Sequence, residues 1–251
     1  MLMDNILLWL PAWVAGLLVM LTHVPLGQRV LQQGVIFLDL AIAQAAGLGV
    51  IIAYGLELNT YGLALQLIAL VSAVVMALIF QLLEKKQNPH LEAWIGCSFV
   101  ITASIGLWIL SASPHAAEHL RDILMGQILW VTPTQLTTTL LYYALAAALL
   151  LVSRKNFYLL FAISITAAVQ LVGIYLVFAT LIMPALATAS VKSNYQKLAQ
   201  GYGLCLIAYT LGIILSQQFD APASPTIILC MALVTVSLLS LRAVNRRWQG
   251  V

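Results

Sequence analysis

Asp39 lies inside an apolar run, Val30 to Tyr54, that is long enough to cross a bilayer. That placement puts the carboxylate near mid-membrane. A charge in the hydrocarbon region costs about 3 kcal/mol even on permissive insertion scales, so intramembrane acids face a bundle interior, a water-filled path or a partner. Asp39 therefore reads as a metal ligand or coupling acid in a transport path, against the alternative of a protonated or hydrogen-bonded acid kept for structure. Gln44 follows in the same run. Five positions of an unbroken helix turn about 140°, so joint coordination by Asp39 and Gln44 needs a local distortion. An amide oxygen suits hard cations and suits zinc poorly; interhelical hydrogen bonding is the alternative role. Glu92 and Gln170 are the next acidic and amide candidates.

His115, Glu118 and His119 form H-x-x-E-H, the reversed zinc-peptidase spacing that places two imidazoles on one helical face. They lie in a polar connection beside Arg121 and Asp122, and no span supplies a third acidic ligand. A metalloenzyme centre, a surface site that gathers metal and a solvated loop are the three readings. His23 and His90 fall at span ends, where an interfacial imidazole is ordinary. Thr102, Ser104, Ser164 and Thr166 are polar at membrane depth, and such side chains by default bond a neighbouring helix or their own backbone.

The elements that would position these residues are transmembrane helices. The chain has 251 residues, 63% of them hydrophobic and 8% charged, with a mean hydropathy of +1.02. Soluble domains carry about 25% charged residues, so an all-α polytopic membrane protein is indicated. At roughly 20 apolar residues per crossing, about eight spans emerge: 6–22, 30–54, 61–83, 92–111, 137–153, 157–180, 198–217 and 225–243. The first is read as retained, because Asp4 replaces a basic leader region and no small-residue cleavage site follows. No G-x-x-x-x-G-K-[ST] phosphate loop occurs, so energy must come from a partner or an ion gradient. Scattered basic residues exclude a nucleic-acid surface. Cys97, Cys205 and Cys230 lack C-x-x-C spacing and read as small core residues.

Two segments resist simple spanning. Asp122–Val131 is too short to cross and stops at Thr132-Pro133, which fits a re-entrant or interfacial half-helix or a buried turn. Leu171–Ala189 prolongs an apolar stretch that begins at Phe157, and Pro184 is expected to end or kink the helix there. Broken helices at membrane depth often line a substrate route. Alternating eight spans places Arg29, Lys85, Lys86, Arg154 and Lys155 on one side and Arg121, Lys192, Lys197, Arg242, Arg246 and Arg247 on the other, so charge hardly sets orientation.

Motifs spread along nearly the whole chain carry a family resemblance: Pro25-Leu26-Gly27, Ala43-Gln44-Ala45 through Gly49, Glu92 with Gly96, Gly126-Gln127-Ile128-Leu129, Val172-Gly173 through Leu181-Ile182-Met183-Pro184-Ala185, and Asp220-Ala221-Pro222-Ala223-Ser224-Pro225. In this order they resemble the membrane permease of bacterial metal-type ABC importers, which carry zinc, manganese or iron. The resemblance implies one transmembrane permease domain over residues 1–251, a homodimer whose short or broken helices line a path at the dimer interface, and a location in the bacterial inner membrane. It implies three partners: the bilayer, a pair of ABC ATPase subunits that hydrolyse ATP, and an extracytoplasmic metal-binding protein. The metal is then cargo, zinc by preference, with no permanent cofactor and no catalytic activity of the chain's own.

Two departures accompany the resemblance. Family members place an Asp and a His four apart in the second span; here Leu40 and Gln44 stand at those positions, with Asp39 displaced by one. Family members also have a cytoplasmic segment of about twenty residues that docks the ATPase, where this chain has only Arg154-Lys155-Asn156, a connection at the short end for a helical hairpin. Glu84 to His90, Lys192 to Lys197 or the Arg154 hairpin must then engage the ATPase. The candidate metal residues are Asp39, Gln44, Glu92, His115 and His119. A gradient-driven carrier centred on Asp39 is the alternative function, and an intramembrane zinc enzyme using His115, Glu118 and His119 the third.

Overall fold

The computed structural model describes residues 2–55, 63–87, 90–110, 124, 126, 128–152 and 157–248. These residues form nine α-helices: α1 (Leu2–Gln33), α2 (Leu38–Gly55), α3 (Leu63–Lys85), α4 (Leu91–Leu110), α5 (Pro133–Val152), α6 (Phe157–Val172), α7 (Ile174–Thr188), α8 (Asn194–Gln218) and α9 (Ala223–Trp248). A 3₁₀ turn, Ile128–Trp130, precedes α5, and no strand occurs among the described residues. Segments of α1, α3, α4, α8 and α9 are long and apolar enough to cross a membrane, while α2, α6 and α7 are shorter apolar helices. The protein is an all-α, multi-pass membrane protein.

The boundary between the first two expected spans moves. The sequence breaks them at 22 and 30, but α1 runs on to Gln33, and residues 34–37 make the turn into α2. The polar pair that looks like a break is satisfied within the helix. Thr22 Oγ1 donates to Val19 O at 3.1 Å, and His23 Nδ1 lies 2.9 Å from the same carbonyl. Pro25 has no N–H and so frees the carbonyl of Leu21, which accepts instead from the Tyr202 hydroxyl at 3.1 Å.

The second shift is larger. The expected span 157–180 is two helices that meet at Gly173, and Pro184 neither ends nor breaks α7, which continues to Thr188. Gly173 has φ +81°, a conformation that costs an L side chain, and Gly126 packs so tightly on it that an added Cβ would lie 2.3 Å from its backbone nitrogen. Ser224 Oγ, in the first turn of α9, donates to the Val172 carbonyl at 3.2 Å. The break falls at this glycine and not at Pro184, which lies inside α7.

Contacts between helices give their directions. The Trp13 indole donates to Thr210 Oγ1, and the Val24 side chain abuts Gly201, so α1 and α8 run antiparallel. Leu181 abuts Gly27, Pro184 abuts Gly201, and Arg242 reaches both Ala187 O and Gln200 Oε1. The ends of α1, α7 and α9 and the start of α8 therefore share one end of the bundle. The Phe37 N–H meets Glu92, and Tyr158 faces Glu84, which brings the starts of α2, α4 and α6 and the end of α3 to that same end. Val172 lies beside Ser224 at the other end, so α6 and α7 form an antiparallel hairpin.

That hairpin adds one crossing and resolves the charge pattern. Arg29, Lys85, Lys86, Lys192, Lys197, Arg242, Arg246 and Arg247, eight of the eleven Lys and Arg residues, all belong to one end, hereafter the basic end. Arg121, Arg154 and Lys155 lie outside the described residues. The near-even split expected from eight spans is corrected, because a single span at 157–180 inverted the side of everything after it.

Helix surfaces follow from packing. Ala69, Ala73, Ala77 and Phe80 of α3 face the core, while Leu67, Val71, Val75, Leu78 and Leu82 are exposed, as suits lipid. In α6 the run Leu160–Ala168 is buried without interruption, so this helix is wrapped on all sides.

Candidate functional site

Asp39 sits in the first turn of α2, at the basic end, and not near mid-membrane. The expectation failed because Val30–Gln33 belong to α1. Even so, the residue is 1% exposed, and neither carboxyl oxygen has a hydrogen-bond partner. The N–H groups of Asp39 and Leu40 act on it at the helix start, where the dipole favours negative charge. An acid held dry with both oxygens free is an expensive arrangement that a passing cation would relieve.

Glu92 opens α4 beside it. Its Oε1 accepts the Phe37 N–H at 3.3 Å, and its Oε2 is buried without a partner. Tyr158, in the first turn of α6 and 2% exposed, directs its hydroxyl to the Glu84 carboxylate and lies within electrostatic reach of Glu92. Gln28 Nε2, on α1, is a further buried and unpartnered polar atom. Starts and ends of α2, α3, α4 and α6 thus gather carboxyl groups and a phenol at the basic end, from positions spread over residues 39 to 158.

Gln44 is 5% exposed and lies on the same uninterrupted α2. With no distortion between them, Asp39 and Gln44 point about 140° apart and are separated by about 7.5 Å along the axis. His115, Glu118 and His119 lie outside the described residues. Among the described residues, no group of three or more His, Cys, Asp or Glu stands close enough to hold a metal.

His23 is the polar residue that sequence reading misplaced. It is not at a span end but inside α1, fully buried, with Nδ1 also 2.9 Å from Thr22 Oγ1 and Nε2 unpartnered. Tyr143 of α5, whose hydroxyl interacts with Thr22, and the Thr180–Tyr209 pair (2.9 Å) add to this inner polar zone. The available signal was the resumption of apolar residues at Val24, directly after His23. Thr102 behaves as expected and bonds Ser98 O of its own helix at 2.7 Å. Cys205 and Cys230 are buried and free, whereas Cys97 is exposed on α4 and is not a core residue.

The antiparallel membrane bundle with buried acids at one end defines a transport protein more readily than an enzyme. The chain belongs to the ABC 3 transport family, whose model matches residues 5–161 and 156–242. It is 26% identical over 248 residues to the high-affinity zinc uptake system membrane protein ZnuB of Buchnera aphidicola subsp. Schizaphis graminum, covering 87% of this chain and 92% of that protein. It is 26% identical over 221 residues to the chelated iron transport system membrane protein YfeD of Yersinia pestis, covering 78% and 72%. The solved structure of PsaBC from Streptococcus pneumoniae in complex with Fab has a TM-score of 0.72 at 21% identity, over 94% of this chain and 93% of that one, a likeness of fold. The resemblance carried by the sequence motifs is thereby established.

Proposed function

We propose that the chain is the permease subunit of an ABC importer for a divalent transition metal, zinc by preference. The observation that carries this reading is the family match along the chain together with Asp39, a buried acid whose oxygens have no partner. Zinc is favoured because ZnuB relatives match over almost their whole length. Residues 1–251 act as one transmembrane permease domain in a homodimer. The cargo passes Gln44 and Asp39 and then Glu92, and none of it is retained as a cofactor.

The basic end faces the cytoplasm, since loops rich in Lys and Arg remain on that side. Two of the connections proposed to engage the ATPase, Glu84 to His90 and Lys192 to Lys197, both start from helix ends at this end. Arg242 ties the second of these to α9 through Ala187 O and Gln200, steadying the α7–α8 corner. A pair of separate ATPase subunits docks here and drives alternating access, which leaves the chain itself without catalysis. The extracytoplasmic metal-binding protein docks at the other end, where α4 ends and the connection bearing His115 and His119 begins; these two histidines gather metal there. In a bacterium the membrane is the inner one.

The test is co-purification from native membranes followed by ATPase assay and metal analysis. A bound ATPase stimulated by the zinc-loaded binding protein is the expected result. A homo-oligomer that moves metal in liposomes without ATP would replace this reading with a gradient-driven carrier.

A further inference from the structure

We infer that Nε2 of His23 is a ligand for the passing cargo cation, deeper in the bundle than Gln44 and Asp39, and that this nitrogen sets the preference for zinc over harder ions. This deepens, and rests on, the reading of the chain as a metal permease. His23 stands ten residues before the end of α1 at Gln33, about 15 Å from the basic end and half-way through a core of about 30 Å. Gln44, six residues into α2, lies about 9 Å from the same end. Hydrogen bonds fix the state of the ring. Nδ1 is 2.9 Å from Val19 O, and a carbonyl only accepts, so Nδ1 carries the hydrogen. In the neutral ring Nε2 then carries the lone pair, and it is buried with no partner. One ring nitrogen donating to a backbone carbonyl while the other is left open is the arrangement that orients metal-binding histidines. Thr22 Oγ1, 2.9 Å from Nδ1, also donates to Val19 O, and the Tyr143 hydroxyl of α5 interacts with Thr22, so this edge of the ring is held from two helices. An apolar side chain here would leave no acceptor unpaired.

Donor chemistry gives the open nitrogen its role. Gln44, Asp39 and Glu92 offer oxygen alone, a set that suits hard cations better than zinc. Imidazole is a zinc donor and binds without first losing a proton, unlike a buried thiol such as Cys205. His23 is also the one imidazole inside the bundle among the described residues, since His90 is exposed. Thr180, eight residues before the end of α7, is bonded to Tyr209 at 2.9 Å at about this depth, and Tyr143 lies within electrostatic reach of Tyr209. One nitrogen among hydroxyl oxygens holds a zinc ion only briefly, as a conduit requires.

Zn²⁺ is the probe. In the full chain carrying His90→Ala, His115→Ala and His119→Ala, His23 is the one left of four histidines, and isotopically labelled histidine in lipid nanodiscs reports both ring nitrogens by NMR. Zn²⁺ is expected to move the Nε2 resonance and to leave Nδ1 protonated; resonances that Zn²⁺ does not move overturn the proposal. His23→Asn separates ligation from structure, because its amide bonds Val19 O in place of Nδ1 and nothing stands at Nε2. With the partner subunits present, this variant should insert and unfold like wild type, while its preference for zinc over Mn²⁺ in uptake falls about tenfold or more. A preference equal to that of wild type makes His23 a structural residue and overturns the proposal. If His23→Asn does not fold, the NMR titration decides alone. Wild type that imports no metal with its ATPase and binding protein rejects the permease reading, and the Nε2 response then decides whether the ligand stands without it.

Discussion

Glu92 Oε1 accepts the backbone N–H of Phe37 at 3.3 Å, so an acid on α4 satisfies a donor at the entrance to α2, two residues before Asp39. An N-terminal donor of a helix has no partner within its own helix, and a side-chain oxygen from elsewhere in the fold supplies one. The same contact fixes the start of α2 and with it the depth of Asp39.

Glu92→Ala should therefore lower stability by about 1 kcal/mol, in the range of a lost helix cap, while Glu92→Gln keeps the bond and should unfold near the wild-type temperature. Thermal unfolding in detergent compares them. Equal losses in both variants would mean that charge, not the hydrogen bond, holds the helix start.

Asp39→Asn is expected to cut metal uptake at least about tenfold, the loss of a buried charge's interaction with cargo being worth more than 1.4 kcal/mol. No side chain bonds either oxygen, so the amide breaks no bond to another helix and insertion should be normal. Uptake of radioactive zinc by complemented cells, scaled to protein in the membrane, reads the effect. Normal uptake would remove Asp39 from the path.

The hairpin at Gly173 makes a topological prediction. In a cysteine-free background, Lys86→Cys and Lys192→Cys should react with a membrane-impermeant maleimide from the same side, and Asp220→Cys from the opposite side. A single span at 157–180 would put positions 86 and 192 on opposite sides.

Gly173→Ala forces an L side chain to φ +81°, at a cost on the order of 1 kcal/mol or more. Gly126→Ala should do worse, because its Cβ meets the Val172 and Gly173 backbone at 2.3 Å, where nothing can rotate away. Yield of folded, monodisperse protein should fall in the order wild type, Gly173→Ala, Gly126→Ala. The reverse order for the two variants would show that the close contact yields easily.

His115→Ala combined with His119→Ala should lower apparent metal affinity for uptake only modestly, with the maximal rate retained. Complete loss of transport would promote these histidines from gathering metal to handling it.

Legibility in the sequence tracked the range of the interactions. Hydropathy is local and bilayer thickness sets a fixed ruler, so the all-helical multi-pass class and most helix positions, such as α3 and α8, could be read directly. The family was legible because its motifs keep their order along the chain. Helix boundaries were not: Thr22, His23 and Pro25 look like a break, and only Val19, Leu21 and the distant Tyr202 show how their polar atoms are satisfied within a continuous α1.

Asp39 was conspicuous from its composition alone, a single acid in an apolar run, although its depth was misjudged by the same boundary error. Its neighbours were not conspicuous. Glu84, Glu92 and Tyr158 are ordinary interfacial residues until α3, α4 and α6 are packed side by side. The side on which Lys192 and Arg242 emerge turned on one glycine. Sequence determined what must lie in lipid, because transfer free energy adds residue by residue; tertiary structure decided depth, sidedness and which polar groups meet, because those depend on contacts between helices that no local pattern encodes.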